Sequence, residues 1–216
     1  MNNFKELMFA SVDMPILDCN HAAKEILALD DSVSFWDNYR HTKMVPLMTK
    51  LGSGLADNNL QGEFSWSPHA PNVVKEWFDT VVFPWTGMPS RVMALITQPG
   101  VSNYEHIDCD THELNTIQHK FRIVLQGRTD TLYFKTTKGD VFVPNISQAF
   151  VMDGGWPHGM ANATTEVKVT LALGAPWTGN KNYTNLRLLM NRNEYQMPSD
   201  LTPFWKSKKI LKYLPL

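Results

Sequence analysis

The chain has 216 residues, 43% of them hydrophobic, and its 20 Lys and Arg residues nearly balance its 21 Asp and Glu residues, giving a formal net charge of −1. That length suits one sizeable hydrophobic core, and a near-neutral charge argues against a nucleic acid or an anionic membrane as the partner. Without an apolar run of about 18 residues, and with only two cysteines, we expect a soluble, cytoplasmic protein that has no disulfide framework.

The first ninety residues are predicted to form a helical flank to a single domain that spans residues 1–216. Residues 20–29 combine Ala, Leu and charged side chains in a pattern typical of a helix, with Asn20 as its N-cap. Residues 37–51 are predicted to mix helix and loop, and residues 52–70 are rich in Gly, Asn, Ser and Pro, which favours turns. Residues 72–82 carry apolar side chains at helical spacing.

Residues 91–176 have a different residue pattern, which predicts a β-rich core. Short runs of alternating or β-branched residues, separated by Gly, Pro, Asp or Asn, read RVMALITQ, FRIVLQG, TLYFKTT, DVFVP, AFVMD and VKVTLALGA. Several short strands at close spacing predict a sandwich or barrel. Residues 177–216 are expected to form a C-terminal extension whose apolar residues pack on the domain while its lysines face solvent; a nucleic-acid patch is the weaker interpretation.

The segment 105–120, EHIDCDTHELNTIQHK, contains three histidines, four acids and a cysteine. HELNT begins like the helix motif of zinc proteases, but Thr116 stands where that motif has its second histidine. We interpret Cys109 as a free buried thiol, and His112 and His119 as loop residues. The pair His106 and Asp108 remains as the candidate for metal binding.

His106 and Asp108 are two residues apart, so in an extended chain both side chains point to the same side and can bind one ion. His158 follows the strand-like run AFVMD, and a later strand of the same barrel could bring it to this pair. Two histidines and one carboxylate are the ligand set of non-haem Fe(II) oxygenases. Lys168 interrupts an otherwise apolar strand, so its ammonium either reaches solvent or pairs with a buried anion, such as a dicarboxylate co-substrate.

These residues resemble the Fe(II)- and 2-oxoglutarate-dependent dioxygenase superfamily, and within it the aspartyl/asparaginyl β-hydroxylase branch. That branch has an Asn four residues after its second metal histidine and a basic residue ten residues after it, and Asn162 and Lys168 stand at these places after His158. The run FRIVLQG resembles its R-x-H-L strand, with Arg122 at the place of a co-substrate arginine. The sequence departs from the branch at Lys168, where Arg is usual, and at Val124, where His is frequent. The resemblance covers residues 91–176.

The resemblance implies an α+β fold, mainly β: a double-stranded β-helix, or cupin-like jelly roll, with flanking helices. It implies Fe(II) bound by His106, Asp108 and His158, and 2-oxoglutarate as co-substrate. Lys168 and Arg122 would hold the co-substrate carboxylates, and a hydroxyl from Thr170 or Tyr133 would orient them.

The implied activity is hydroxylation of a peptide side chain or small molecule, with dioxygen as the oxidant and oxidative decarboxylation of 2-oxoglutarate. The alternative is a cupin-like barrel that binds a metal or small ligand without oxidising anything.

Overall fold

The computed structural model describes residues 6–38, 41–51, 63–108, 119–146, 149–173 and 185–206. The helices are α1 (Cys19–Leu27), α2 (Asn72–Trp77) and α3 (Phe83–Thr86), with a π-helical turn, Phe78–Val82, between the last two. The strands are β1 (Leu7–Val12), β2 (Phe35–Asp37), β3 (Thr42–Lys50), β4 (Phe64–Trp66), β5 (Val92–Thr97), β6 (His106–Ile107), β7 (His119–Gln126), β8 (Leu132–Thr136), β9 (Gly139–Phe142), β10 (Ala149–Asp153), β11 (His158–Met160), β12 (Lys168–Leu173), β13 (Leu186–Asn191) and β14 (Trp205–Lys206).

The described strands form two sheets. The large sheet has nine strands in the order β13-β1-β10-β7-β12-β5-β3-β2, with β4 paired to β3. The small sheet has five strands in the order β14-β6-β11-β8-β9. Most neighbouring strands are distant in sequence, for example β7 and β12, although β2–β3, β3–β4 and β8–β9 are consecutive hairpin pairs. This is the double-stranded β-helix that the sequence predicts.

Successive side chains of a strand point to opposite sides of its sheet, and in the large sheet apolar side chains occupy both sides. One face packs on the helices: Phe121, Ile123 and Leu171 share a core with Ile26 of α1 and Val74 of α2. The other face packs on the small sheet in a second cluster, which includes Phe9, Phe150, Met152, Leu132 and Phe134. The functional side chains described below lie between the two sheets.

Helix α1 begins one residue earlier than predicted, and its cap is Asp18 rather than Asn20. The Asp18 carboxylate accepts the backbone N–H of His21 at 3.1 Å, as an N-cap side chain does. Ala22, Ala23 and Ile26 form its buried stripe. Among the helices of the described residues, none is long and apolar enough to cross a bilayer.

The prediction of a helical flank is wrong in part, because the described residues among the first ninety also supply four strands. Residues 42–50, predicted as helix and loop, form β3, which pairs with β5 at the edge of the core. Pro46 lies within β3, where it cannot donate to the ladder, and the register shifts between Pro46 and Met48. In the C-terminal extension, β13 pairs with β1 and β14 pairs with β6.

Candidate metal centre

The structure brings together His106, Asp108 and His158. His106 opens β6 and His158 opens β11, and the two residues are direct cross-strand partners in the small sheet. Asp108 follows β6 immediately. The Nε2 atom of His106 lies 3.6 Å from Asp108 Oδ1, and that of His158 lies 3.7 Å from Asp108 Oδ2. All three residues are buried, and one ligand atom from each lies within 4.8 Å of the other two, so the three can bind one ion.

Backbone carbonyls set the tautomer of both histidines. His106 Nδ1 lies 2.8 Å from the carbonyl oxygen of Tyr104, and His158 Nδ1 lies 2.8 Å from that of Trp156. A carbonyl oxygen can only accept, so each Nδ1 carries the proton and donates it. In the neutral form of each ring the lone pair is then on Nε2, the atom that faces Asp108, as metal coordination requires.

Two contacts fix Asp108 beside the histidines. Its backbone N–H donates to the carbonyl of Gly154 at 2.8 Å. Arg122 Nη2 from β7 lies 3.7 Å from Asp108 Oδ2, so the guanidinium contacts the carboxylate from the large sheet. A nearby cation favours the ionised carboxylate, which is the form that binds a metal.

These residues line a cavity between the two sheets. The other side chains that line it are Thr42, Leu95, Thr97, Asn103, Leu132, Phe150, Met152, Met160, Lys168 and Thr170. The predicted residues Lys168, Thr170 and Arg122 thus lie in the same cavity as the triad. Its wall is largely apolar, which strengthens electrostatic interactions inside.

Lys168 is buried at the start of β12, with 4% of its surface exposed. Its ammonium donates a hydrogen bond to Thr131 Oγ1, and within the described part of the chain it forms no ion pair. Burial lowers the pKa of Lys168 from 10.5 to about 8, and the nearby charge of Asp130 opposes part of that effect. The cavity therefore holds a desolvated amine that an anion would stabilise in its charged form.

Gly127 makes room for the stem of Lys168. A side chain at this position would bring its Cβ to 3.2 Å from Lys168 Cγ, and the backbone φ of +96° is one that glycine adopts readily.

Lys168 and Arg122 lie at different ends of the cavity. Arg122 is opposite Ala172 in the register of β7 and β12. Lys168 lies four residues before Ala172, which corresponds to roughly 13 Å along the strand.

Other residues singled out in the sequence have different positions. Tyr133, a candidate to orient the co-substrate, does not line the cavity: its hydroxyl donates to Glu105 Oε1 at 3.3 Å, and burial raises its pKa to about 12. Asn162 has a structural role, because its amide donates to the backbone carbonyls of Thr97, Gln98 and Glu166. His119 opens β7 and is not a loop residue. Cys109 and His112 lie outside the described residues.

No family model matches the chain, and no curated protein matches it by sequence. Solved structures do. A prolyl hydroxylase from Trichoplax adhaerens, in complex with a peptide fragment of the oxygen degradation domain of hypoxia inducible factor, matches at a TM-score of 0.50 and 12% identity over 79% of this chain and 83% of its own. A Pseudomonas putida prolyl-4-hydroxylase matches at a TM-score of 0.49 and 12% identity, over 77% of this chain and 90% of its own. HygX from Streptomyces hygroscopicus, with nickel and 2-oxoglutarate bound, matches at a TM-score of 0.48 and 13% identity, over 78% of this chain and 82% of its own. The first likeness confirms the predicted fold.

Proposed function

We propose that this protein is an Fe(II)- and 2-oxoglutarate-dependent dioxygenase that hydroxylates a peptide side chain or a small molecule. The observation that carries the proposal is the buried triad of His106, Asp108 and His158, whose two Nε2 lone pairs and carboxylate converge in a cavity that also contains a buried lysine. A ligand set of two histidines and one carboxylate leaves coordination positions open for a keto acid and for dioxygen.

The three ligands fit Fe(II) in chemistry and in tautomer. Both imidazoles hold the proton on Nδ1, so that Nε2 is the ligand atom in the neutral ring, and the carboxylate offsets part of the charge of a divalent ion. When bound, Fe(II) with 2-oxoglutarate supplies the oxidising chemistry, and the protein supplies orientation and a shielded cavity. The apolar lining from Leu95, Phe150 and Met152 limits the access of water to the reacting centre.

Lys168 would bind the far carboxylate of the co-substrate. His158 pairs with Phe134, whereas Lys168 hydrogen-bonds to Thr131, three residues earlier in the chain. Thr131 ends a 3-10 turn directly before β8, so the ammonium lies a few residues along the chain from the metal ligands and lines the same cavity. A five-carbon keto acid that chelates the metal at one end has a suitable length to reach Lys168 with the other.

Thr170 lines the same cavity and offers a hydroxyl to that carboxylate. Arg122, which contacts Asp108, lies at the metal end and would pair with the keto acid end of the co-substrate.

Finer assignments extend the same proposal. The spacing of His158, Asn162 and Lys168 supports the aspartyl/asparaginyl β-hydroxylase branch. A peptide is among the substrate classes we propose, and the likeness to a prolyl hydroxylase in complex with a peptide is compatible with it. We further propose that the protein is one domain and cytoplasmic. Its net charge of −1 supports the proposal that neither nucleic acid nor membrane is its partner.

Turnover separates an oxygenase from the cupin-like alternative. The purified protein is incubated in air with Fe(II) and 2-oxoglutarate, and succinate is measured. We expect slow formation of succinate even without the primary substrate, dependent on added Fe(II) and absent in His158→Ala. A wild-type protein that binds the metal but neither binds nor consumes 2-oxoglutarate would support the cupin-like barrel instead.

A further inference from the structure

The turn between β10 and β11, residues 153–157, contacts two of the three metal ligands. The carbonyl of Gly154 accepts the backbone N–H of Asp108 at 2.8 Å. The carbonyl of Trp156, two residues later, accepts the Nδ1 proton of His158 at 2.8 Å. The position of the Asp108 backbone and the orientation of the His158 ring therefore depend on the conformation of one short turn.

Asp153 holds this turn from within. Its side chain is fully buried, and its Oδ1 accepts the backbone N–H of Gly155 at 2.8 Å. Its Oδ2 lies 3.4 Å from Arg192 Nη1. Arg192 belongs to the 3-10 turn that follows β13, so its charge reaches the turn from the C-terminal segment of the chain.

Arg192 also contacts the turn through Trp156. The guanidinium carbon lies 5.6 Å from the centre of the Trp156 ring, within the range of a cation–π contact. The indole N–H donates to the carbonyl of Lys135 at 2.7 Å, which fixes the ring against β8. The turn is thus held by a buried carboxylate, a cation and an aromatic ring together.

We infer that the Arg192–Asp153 pair positions Asp108 and His158 for metal binding, and that the C-terminal segment therefore supports the metal centre through this turn. A fully buried carboxylate is costly without a cation beside it, so loss of Arg192 should disturb the turn that Asp153 organises. The groups that orient metal ligands through hydrogen bonds change metal affinity when they are removed, typically by about 10–100-fold. This inference rests on the metal site of the proposed function.

The first test measures metal affinity. Arg192→Met keeps an apolar side chain against Trp156 but removes the charge, and Asp153→Asn keeps an acceptor for Gly155. Each should weaken Zn(II) and Fe(II) binding by about 10–100-fold, and the double variant should be no weaker than the worse single variant, because both act through one pair. Arg128→Met is the matched control: Arg128 also pairs with an aspartate, Asp130, but on the surface, and its loss should leave the affinity unchanged.

The second test distinguishes positioning from a general loss of stability. In the Zn(II)-loaded protein, NMR follows the solvent exchange of the two histidine Nδ1 protons. Arg192→Met should speed exchange at His158, whose acceptor lies in the turn, and leave His106, whose acceptor is Tyr104, unchanged. Arg192→Met with wild-type affinity and wild-type exchange at His158 would overturn the inference. A wild-type protein that binds neither metal would instead overturn the proposed function. If Asp153→Asn does not fold, the metal affinity and proton exchange of Arg192→Met alone test the inference.

Discussion

Replacement of Lys168 by Ala should weaken 2-oxoglutarate binding by about two orders of magnitude while metal affinity stays nearly unchanged. The amine is buried in the cavity of the triad but does not contact the three ligands; its hydrogen bond goes to Thr131. Removal of the side chain therefore deletes the partner of the far carboxylate and leaves the metal site in place.

The pKa of Lys168 gives the size of the effect. Its fall from 10.5 to about 8 means that keeping the ammonium charged in the cavity costs about 3 kcal/mol. A bound carboxylate offsets that cost, so the loss of Lys168 should raise the dissociation constant of 2-oxoglutarate by roughly 100–200-fold. Lys168→Arg, which keeps the charge, should stay within about tenfold of wild type.

In the assay, 2-oxoglutarate is titrated without oxygen into the Fe(II)-loaded wild-type protein and the two variants. Calorimetry measures the binding at several pH values. Wild-type affinity should fall as the pH rises above about 8, because the amine then loses its proton in the free protein. Wild-type affinity in Lys168→Ala would refute the reasoning: either Arg122 holds the far carboxylate alone, or the protein does not use this co-substrate and the cupin-like alternative becomes the better account.

Four further outcomes are expected. His106→Ala and His158→Ala should each lose Fe(II) in calorimetric titration, because two ligands hold a labile divalent ion poorly. Asp108→Ala should retain some iron through the two histidines but show a sharp fall in turnover of 2-oxoglutarate, measured as succinate formation. Lys168→Met should raise the free energy of unfolding of the ligand-free protein, measured in urea, by up to about 3 kcal/mol below pH 8. The pKa of Lys168 is lower in the folded than in the unfolded protein, so the stability of the wild type rises between pH 8 and 10.5. The difference in stability between the variant and the wild type therefore narrows over that range. Gly159→Ala should destabilise the fold by about 1–3 kcal/mol in the same urea experiment, because its Cβ would lie 2.5 Å from the Tyr133 hydroxyl oxygen.

Matched variants control these measurements. His21→Ala removes an exposed histidine of α1, and His112→Ala and His119→Ala remove the two other histidines of segment 105–120; all three should keep Fe(II). Undiminished iron binding in His158→Ala would contradict the triad. Wild-type turnover in Asp108→Ala would move the carboxylate ligand to another acid, such as Glu105 or Asp110.

The strands of the core could be predicted from the sequence because their signal is local. Segments such as AFVMD and VKVTLALGA have β-branched and apolar residues bounded by turn residues, and they form β10 and β12. Strand β3 could not be predicted, because Pro46 interrupts it and its apolar, lysine and threonine residues do not alternate with a clear period of two. Its place in the sheet depends on pairing with β5, about fifty residues away.

All three residues of the triad, His106, Asp108 and His158, could be predicted. His106 and Asp108 share a side of an extended chain, which is a local property, and Lys168 stands out in an apolar strand. The residues that orient them could not be predicted, because their contacts join distant segments: Thr131 with Lys168 across 37 residues, and Arg192 with Asp153 across the whole of β11–β13. Of the two hydroxyls that the resemblance offered for orienting the co-substrate, Thr170 lines the cavity and Tyr133 does not, and strand alternation alone does not say which face is inward.

The most direct test of the central claim is a stepwise anaerobic titration of the wild-type protein with Fe(II) and then 2-oxoglutarate, followed by visible absorbance. We predict one Fe(II) per chain, and then a weak visible charge-transfer band that saturates at one 2-oxoglutarate per iron and is absent in His106→Ala and His158→Ala. Stoichiometric iron binding with no such band at saturating 2-oxoglutarate, or the same band in both histidine variants, would contradict the account.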